Sequence, residues 1–191
     1  MTSTTPRTAP VTVRNTRAED VAETVRLRAA SWRAAYAGIV PAAYLDGIDT
    51  GPEMIERNVR YLGESPAGWH QLVAEREGRV VAFVMCGPER PTPEGARGGV
   101  RRGEVYSLYA HPDAWSIGAG MLLLAAARQR LAADGFTQCV VGVLEDNARG
   151  RAFYERQGLR PTGESTEIVI GGKALPELLY GGPTTPSRRE G

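Results

Sequence analysis

Hydrophobic side chains recur every three to four residues in several parts of the chain, a spacing that predicts amphipathic helices. The clearest run begins at Asp20, and its apolar face carries Val21, Val25, Ala29, Trp32 and Tyr36. Gly38 and Pro41 follow this run and predict its end, because neither residue favours continuation of a helix. Further helices are predicted over residues 42–45, 52–62, 117–133 and 147–156.

Several other segments alternate between apolar and polar residues, which predicts strands. Residues 71–76 and 79–85 flank Glu77-Gly78, a two-residue turn that is typical of a β-hairpin. Other strands are predicted over residues 11–15, 104–110, 138–144, 164–170 and 178–180, and the last two flank Gly171-Gly172 in a second hairpin. This order of elements, without an internal repeat, predicts an α+β fold in which helices pack on the faces of a mixed sheet.

One folded domain is predicted over residues 11–180. Residues 1–10 and 181–191 consist mostly of Thr, Pro, Gly, Ser and Arg, so we predict disordered tails at both ends. Residues 88–102 are rich in Pro, Gly and Arg, and a loop of this length is typical of a functional or a disordered segment.

Composition excludes several classes of function. The 191 residues carry a formal net charge of +1 with basic and acidic side chains interspersed, so no surface for nucleic acid or an anionic membrane is predicted. Cys86, Cys139, His70 and His111 are isolated from one another in the sequence, and no metal site is expected. No apolar segment is long enough to span a membrane and the first residues lack the pattern of a signal peptide, so we expect a cytoplasmic protein.

Gly118-Ala119-Gly120 follows a predicted strand and stands at the start of a predicted helix. Unpaired backbone N–H groups and the helix dipole make such a position suitable for an anion such as pyrophosphate. The same residues are also compatible with an ordinary tight entry into a helix. Leu123 stands where a dinucleotide fingerprint requires its third glycine, and no P-loop lysine follows.

Residues 108–112 and 115–122, which contain this glycine pair, resemble the acetyl-CoA motif of the GNAT superfamily of N-acetyltransferases. Residues 145–149 and 152–159 resemble the second signature of the superfamily and stand at the expected interval downstream. Residues 31–45 are similar to one branch of the family, so the resemblance spans about residues 11–180. It implies a GNAT-like fold, a mixed and mostly antiparallel sheet with a central pair of splayed parallel strands, flanked by helices.

The resemblance implies that acetyl-CoA is the acyl donor and that its pantetheine arm lies between the predicted strands at 104–110 and 138–144. The implied cofactor-binding residues are Leu108, Tyr109, Ala110 and Asn147 for pantetheine, and Ser116, Ile117, Gly118, Ala119, Gly120 and Met121 for pyrophosphate. Asn147 also suits the N-cap of the following helix, and both roles can coexist. Trp115, Ser116 and Ile117 replace the Gln or Arg and the Gly-Arg pair that are common in the family, which removes a cation that would face the phosphates.

Tyr154 matches the family tyrosine that donates a proton to the departing CoA thiolate, with core packing as the alternative. The acceptor amine must lose a proton before it attacks the thioester, and Glu104 is the candidate base. Period-two alternation places Glu104 on the same strand face as Tyr106 and Leu108, although a solvated surface charge is the alternative. Candidate acceptor-binding residues are Trp32, Tyr36 and Tyr106, again with packing as the alternative.

The predicted function is transfer of an acetyl group from acetyl-CoA to a small-molecule or peptide amine, by direct attack of the amine on the thioester. The main alternative is a catalytically weak GNAT-like module that binds acyl-CoA as a sensor or interaction partner, because the glycine loop departs from the family pattern. A flavin or nucleotide protein that used Gly118 and Gly120 would leave the second signature unexplained. Many members of the family dimerise through their terminal strands, so a homodimer is one expected assembly.

Overall fold

The computed structural model describes residues 9–91 and 101–185, and its centre is a seven-stranded sheet. The strands are β1 (Thr12–Asn15), β2 (His70–Arg76), β3 (Arg79–Pro88), β4 (Arg102–Ala110), β5 (Gln138–Leu144), β6 (Arg160–Ile170) and β7 (Lys173–Pro183). Their order across the sheet is β1-β2-β3-β4-β5-β7-β6. β4 and β5 run parallel and every other neighbouring pair is antiparallel, which confirms the predicted fold with its single parallel pair.

Helices cover both faces of this sheet. They are α1 (Val21–Ala35), α2 (Ala42–Asp46), α3 (Pro52–Gly63), α4 (Ala119–Ala133) and α5 (Ala148–Arg156). α4 packs on one face, where its Leu123 and Leu131 are buried in a cluster with Leu72 of β2. α1 packs on the other face, where its Leu27 is buried with Val73 of β2. Because adjacent residues of β2 are buried on opposite sides, its apolar positions form a continuous run rather than a strict alternation.

β4 and β5 are paired only where they begin. The parallel ladder joins Arg102 to Gln138, Gly103 to Cys139 and Glu104 to Val140. Beyond these pairs β4 continues along β3 as far as Ala110, and β5 continues along β7 as far as Leu144. The register between β3 and β4 shifts opposite Met85, which leaves Tyr106 as the extra residue of a β-bulge that bends β4. The two parallel strands therefore separate and leave a gap in the middle of the sheet.

Several element boundaries differ from the sequence prediction. α4 begins at Ala119 rather than at residue 117, and β3 and β4 extend into the predicted 88–102 loop at both ends. β6 begins at Arg160, and β7 is much longer than the predicted 178–180 segment. β7 pairs with β5 as far as Pro183, so the sheet extends beyond residue 180, the predicted end of the domain. Residues 92–100 of the predicted loop, residues 1–8 and residues 186–191 lie outside the described residues.

Within residues 9–91 and 101–185, no helix combines the length and the apolar character that crossing a membrane requires.

Candidate active site

The gap between β4 and β5 opens into a cavity of about 740 Å³, here called the main cavity. α1, α5, β7 and the beginning of α4 complete its walls. Every site residue predicted from the sequence lines this cavity except Ile117 and Glu104. The predicted residues that line it are Trp32, Tyr36, Tyr106, Leu108, Tyr109, Ala110, Ser116, Gly118, Ala119, Gly120, Met121, Asn147 and Tyr154.

The loop before α4 presents unpaired backbone N–H groups at one end of the main cavity. Ser116 and Gly118 adopt left-handed conformations with φ angles of 71° and 88°, and α4 begins at Ala119. Glycine adopts such a φ angle without a steric penalty, which accounts for Gly118 at this position. The first helical hydrogen bond runs from the Leu122 N–H to the Gly118 carbonyl oxygen (3.1 Å), so the N–H groups between these residues have no acceptor within the helix. This arrangement favours the binding of an anion.

Arg149 of α5 supplies a cation beside this loop, which the sequence analysis missed. Its guanidinium carbon lies 3.7 Å from the centroid of the Trp115 ring, and its side chain lines the main cavity. The Trp115 indole is fixed in turn by a hydrogen bond from its Nε1 to the Ala110 carbonyl oxygen (3.1 Å). Arg149 therefore places a cation beside the loop, held there by a cation–π contact with Trp115.

Ile117 is the predicted loop residue that does not line the main cavity. Its side chain packs instead against the buried cluster formed by α4 and the sheet. An apolar residue at this position therefore anchors the loop to the core, and its membership of the pyrophosphate-binding loop stays a prediction.

Asn147 has the capping role that the sequence allowed. Its side-chain oxygen accepts a hydrogen bond from the Gly150 N–H (2.9 Å), which caps α5. The same residue lines the main cavity, so the geometry permits a ligand contact beside the capping interaction.

Tyr154 projects from α5 into the main cavity and is only 8% exposed. Its ring lies between Phe153 (5.2 Å between centroids) and Tyr180 (6.4 Å). Burial raises the pKa of Tyr154 far above the usual range for a phenol, and the neighbouring Tyr36 and Tyr109 add to the shift. The hydroxyl group therefore keeps its proton at neutral pH.

Trp32 and Tyr36 combine packing with a position in the cavity wall. Their rings are in edge-to-face contact, with centroids 5.0 Å apart, and Trp32 also contacts Tyr109 of β4. The Trp32 Nε1 and the Ser107 Oγ are both buried without a hydrogen-bond partner among the described residues. Both residues line the main cavity, where a bound ligand would be able to satisfy these atoms.

The structure places Glu104 away from the main cavity, in a tight ion pair. Glu104 is 8% exposed, and its carboxylate accepts hydrogen bonds from the backbone N–H (2.9 Å) and the Nε (3.1 Å) of Arg90. The terminal nitrogen of the same guanidinium completes the pair. Both oxygens of this carboxylate are therefore already engaged by Arg90.

The strand face predicted for Leu108 is wrong, whereas Glu104 and Tyr106 share one face, where Arg90 contacts both. The bulge at Tyr106 adds one residue to the strand, which turns the following side chains toward the opposite face. Leu108 consequently packs toward α4, whereas Tyr106 contacts Trp69 with 4.6 Å between the ring centroids.

Glu177 of β7 is a second functional candidate that sequence reasoning missed. It lines the main cavity, and its carboxylate lies over Gly142 of β5, where an added Cβ would stand 2.6 Å from the Glu177 Cδ. Burial raises the pKa of Glu177, Arg90 opposes this shift and Glu104 contributes to it. The available signal was an acidic residue within the apolar 174–180 segment, which Pro176 made difficult to recognise as a strand.

A second cavity of about 380 Å³ lies beside β4 on the α1 face of the sheet. Tyr61 and Trp69 contribute aromatic walls to it. Tyr106, Ser107 and Tyr109 line both this second cavity and the main cavity. A ligand in each cavity would therefore approach the same stretch of β4.

Within residues 9–91 and 101–185, no group of three or more His, Cys, Asp or Glu side chains is arranged to hold a metal ion. Cys86 and Cys139 are buried, and burial raises the pKa of each thiol to about 12. Both cysteines are therefore protonated, small apolar side chains at neutral pH.

Comparison with known proteins is consistent across sequence and structure. Residues 32–159 match the family model for the acetyltransferase (GNAT) family. The uncharacterized N-acetyltransferase YuaI of Bacillus subtilis (strain 168) is 30% identical over 173 residues, which cover 91% of this chain and 93% of YuaI.

Two solved structures share the fold at lower sequence identity. The PaiA N-acetyltransferase from Thermoplasma acidophilum in complex with coenzyme A has a TM-score of 0.66 and 20% identity, covering 88% of this chain and 98% of that one. The YncA structure from Salmonella typhimurium with its cofactor acetyl-CoA has a TM-score of 0.66 and 21% identity, covering 93% and 96%. Since the family model alone matches more than half of the sequence, the chain belongs to the acetyltransferase (GNAT) family and is an N-acetyltransferase.

Proposed function

We propose that the chain binds acetyl-CoA in the main cavity and transfers the acetyl group directly to the amine of a small molecule or peptide. The observation that carries this proposal is the gap between β4 and β5, with the unpaired N–H groups of α4 at one end and Tyr154 in its wall. The alternative of an acyl-CoA sensor without turnover has no observation in its favour over catalysis, since the candidate proton donor lines the same cavity.

The separated strands fit the donor. β4 beyond Glu104 and β5 beyond Val140 each present an edge that is not paired with the other, and an extended pantetheine arm with its two amides suits such a position. The pyrophosphate would lie at the loop before α4, where Gly118 and Gly120 allow close approach to the backbone. Two proteins of the same fold were solved with coenzyme A or acetyl-CoA, which supports acetyl-CoA as the donor.

The second cavity is the proposed entry for the acceptor amine. It lies on the α1 face, and it shares Tyr106, Ser107 and Tyr109 of β4 with the main cavity. An amine that entered here would reach the thioester without displacing the pantetheine arm. Trp32 and Tyr36 would contact the acceptor or the acetyl group from α1.

The chemistry requires two proton transfers. The nitrogen lone pair attacks the thioester carbonyl carbon, a C–N bond forms and the C–S bond breaks. Tyr154 would protonate the departing sulfur, because it lines the main cavity and its hydroxyl is protonated before reaction. A base must take the proton of the amine, and that role for Glu104 stays a prediction that its ion pair with Arg90 makes less favourable.

Acetyl-CoA is expected to raise the melting temperature of the protein, because a ligand that binds only the native state stabilises it by mass action. At 100 times Kd the stabilisation is about 2.7 kcal/mol. For a domain of this size, that corresponds to roughly 5–10 °C. Thermal unfolding with and without acetyl-CoA measures this effect, with adenosine as a control that lacks the pyrophosphate and the pantetheine arm.

Turnover distinguishes an enzyme from a sensor. Release of free CoA thiol, measured against a broad panel of primary amines and peptides, should identify at least one acceptor, and mass spectrometry should find it heavier by one acetyl group. Absence of any thermal shift or calorimetric binding at millimolar acetyl-CoA would overturn the proposed function. Binding without turnover on the whole panel would favour the sensor.

Replacing Arg149 by Ala is expected to weaken acetyl-CoA binding by about 10- to 150-fold at low salt, because a charged contact to phosphate is worth roughly 1.5–3 kcal/mol. The loss should shrink at high ionic strength, where screening already weakens the contact in the wild-type protein. Titration calorimetry at two salt concentrations measures it. Arg26→Ala is the matched control, since it removes the same charge from an exposed position of α1 outside the main cavity. Equal affinities of the two variants would contradict the role given to Arg149.

A further inference from the structure

Glu177 is the only carboxylate among the described residues that lines the main cavity. Along β7, Leu175 is buried with Trp32 on the α1 face, whereas Tyr180 joins Tyr154 in the cluster beneath α4 and α5. Alternate residues of a strand share a face, so Glu177 lies on the same side as Leu175. Glu177 and Tyr154 therefore reach the gap between β4 and β5 from opposite faces of the sheet.

Gly142 of β5 makes room for the carboxylate. An added Cβ at Gly142 would stand 2.8 Å from each carboxylate oxygen of Glu177, which is too close for any larger residue without displacement of the Glu177 side chain. Among the described residues, no hydrogen bond or ion pair engages these oxygens. The Glu177 carboxylate differs in this respect from that of Glu104, whose oxygens accept hydrogen bonds from Arg90.

We propose that Glu177 is the group that accepts the proton of the acceptor ammonium, directly or through one water molecule, an inference that rests on the proposed acetyl transfer. It lies on the α1 face, from which the second cavity would deliver the amine. It is also free of the ion pair that engages Glu104, the base predicted from the sequence. The acid and the base would then stand on opposite sides of the thioester.

The proton and electron balance is complete with these two groups. The ammonium loses one proton to the Glu177 carboxylate, and the freed lone pair forms the C–N bond. The electron pair of the C–S bond leaves with sulfur, which takes the phenol proton of Tyr154. The nitrogen, which is positively charged once the C–N bond has formed, releases its second proton to the Tyr154 phenolate through water as the amide forms. Release of its proton to water returns Glu177 to its starting state. The net products are the acetylated amine, CoA thiol and one proton.

The surroundings of Glu177 suit a proton acceptor. The titratable or charged groups that face it are Tyr36 of α1, Tyr109 and Glu104 of β4, and Arg90 at the end of β3. Burial raises the pKa of both tyrosines, so they stay neutral through the range in which a carboxylate titrates. Burial also raises the pKa of Glu177, which makes the ionised carboxylate a better base than an exposed one.

The test is the pH dependence of kcat/KM for the full chain and its Glu177→Gln variant, with one amine from the panel. Glu177→Gln should lower kcat/KM at pH 7 by about 100-fold or more, because general base catalysis contributes at least that much. The loss should diminish as the pH approaches the pKa of the amine, where neutral nucleophile exists without help. The acetyl-CoA thermal shift should be unchanged, since the substitution leaves the donor contacts in place.

Three further variants test the assignment of the base. Glu167→Gln is the matched control, because Glu167 is exposed on β6 beside the same stretch of β7 and lies outside both cavities, so its profile should equal that of the wild type. Gly142→Ala keeps the carboxylate but displaces it, and should reduce kcat/KM at neutral pH without abolishing acetyl-CoA binding. Glu104→Gln tests the competing base in the same assay.

The outcomes separate this inference from the proposed function. A profile of Glu177→Gln that superimposes on the wild-type profile overturns the assignment, as does a steeper loss in Glu104→Gln than in Glu177→Gln. In either case wild-type turnover and the thermal shift leave the acetyltransferase proposal standing. A wild-type protein that neither binds acetyl-CoA nor releases CoA overturns both.

Discussion

Tyr154→Phe is expected to lower kcat by about 100-fold or more while acetyl-CoA affinity changes little. The substitution removes only the hydroxyl group, so the packing of the ring against Phe153 and Tyr180 is retained. If this phenol protonates the sulfur, its loss leaves a strongly basic thiolate to depart without a proton. Because burial raises the pKa of Tyr154, the wild-type kcat should show no loss from ionisation of Tyr154 until well above the usual phenol range.

Tyr180→Phe provides the matched control for this variant. Tyr180 is also a buried tyrosine, but its hydroxyl donates a hydrogen bond to Glu155 (2.9 Å) and accepts one from Arg151 (3.2 Å), outside the main cavity. Its loss should cost about 1 kcal/mol of stability for each hydrogen bond and leave kcat unchanged. Pre-steady-state measurement of CoA release reports the chemical step. A kcat for Tyr154→Phe within twofold of wild type, with chemistry rate-limiting, would assign Tyr154 to packing alone.

Periodicity predicted most of the fold because each element has one buried face. The α1 helix was evident from the spacing of Val21, Val25 and Trp32, all of which are buried. The hairpin of β2 and β3 followed from Glu77-Gly78, both of which adopt positive φ angles in the structure. The family motifs then supplied the position of the gap between the parallel strands, which periodicity alone does not reveal.

The strand face of Leu108 was outside the reach of the same reasoning. A bulge shifts the alternation of side chains by one residue, and nothing in the sequence around Tyr106 marks the position of the extra residue. The ion pair between Glu104 and Arg90 was equally hidden, because Arg90 lies in a segment that the sequence assigned to a loop. Local patterns therefore predicted which strand carries Glu104 but not what its carboxylate contacts.

Arg149 and Glu177 were missed for a different reason. Each reaches the main cavity from an element that is distant in sequence from the glycine loop, and only tertiary packing brings it there. Arg149 and Trp115 are in contact, but the sequence analysis treated them separately. Arg149 was part of the second signature, and Trp115 was a departure from the acetyl-CoA motif. This contact, which places the Arg149 cation beside the glycine loop, is visible only in three dimensions.

Gly120→Val is expected to weaken acetyl-CoA binding by roughly 10- to 150-fold, which corresponds to the loss of one charged hydrogen bond of about 1.5–3 kcal/mol. Gly120 lies in the first turn of α4, among the residues whose N–H groups have no acceptor within the helix. An added Cβ would lie 3.5 Å from the Phe153 ring and 3.6 Å from the Leu108 Cδ2, in ordinary contact. The fold should therefore accept the first carbon, whereas the γ-methyl groups of valine need space in the cavity beyond it.

Gly120→Ala separates the steric effect on the ligand from an effect on the helix. Alanine adds only the Cβ and favours the helical conformation, so this variant should be at least as stable as the wild-type protein and should lose little affinity. Calorimetric titration with acetyl-CoA, combined with the melting temperature of each unliganded variant, measures both quantities. A Gly120→Val protein that melts like the wild type and binds acetyl-CoA with unchanged affinity would place the pyrophosphate elsewhere. The loop before α4 would then be an ordinary helix entry, because a branched side chain beside its N–H groups would obstruct any ligand bound to them.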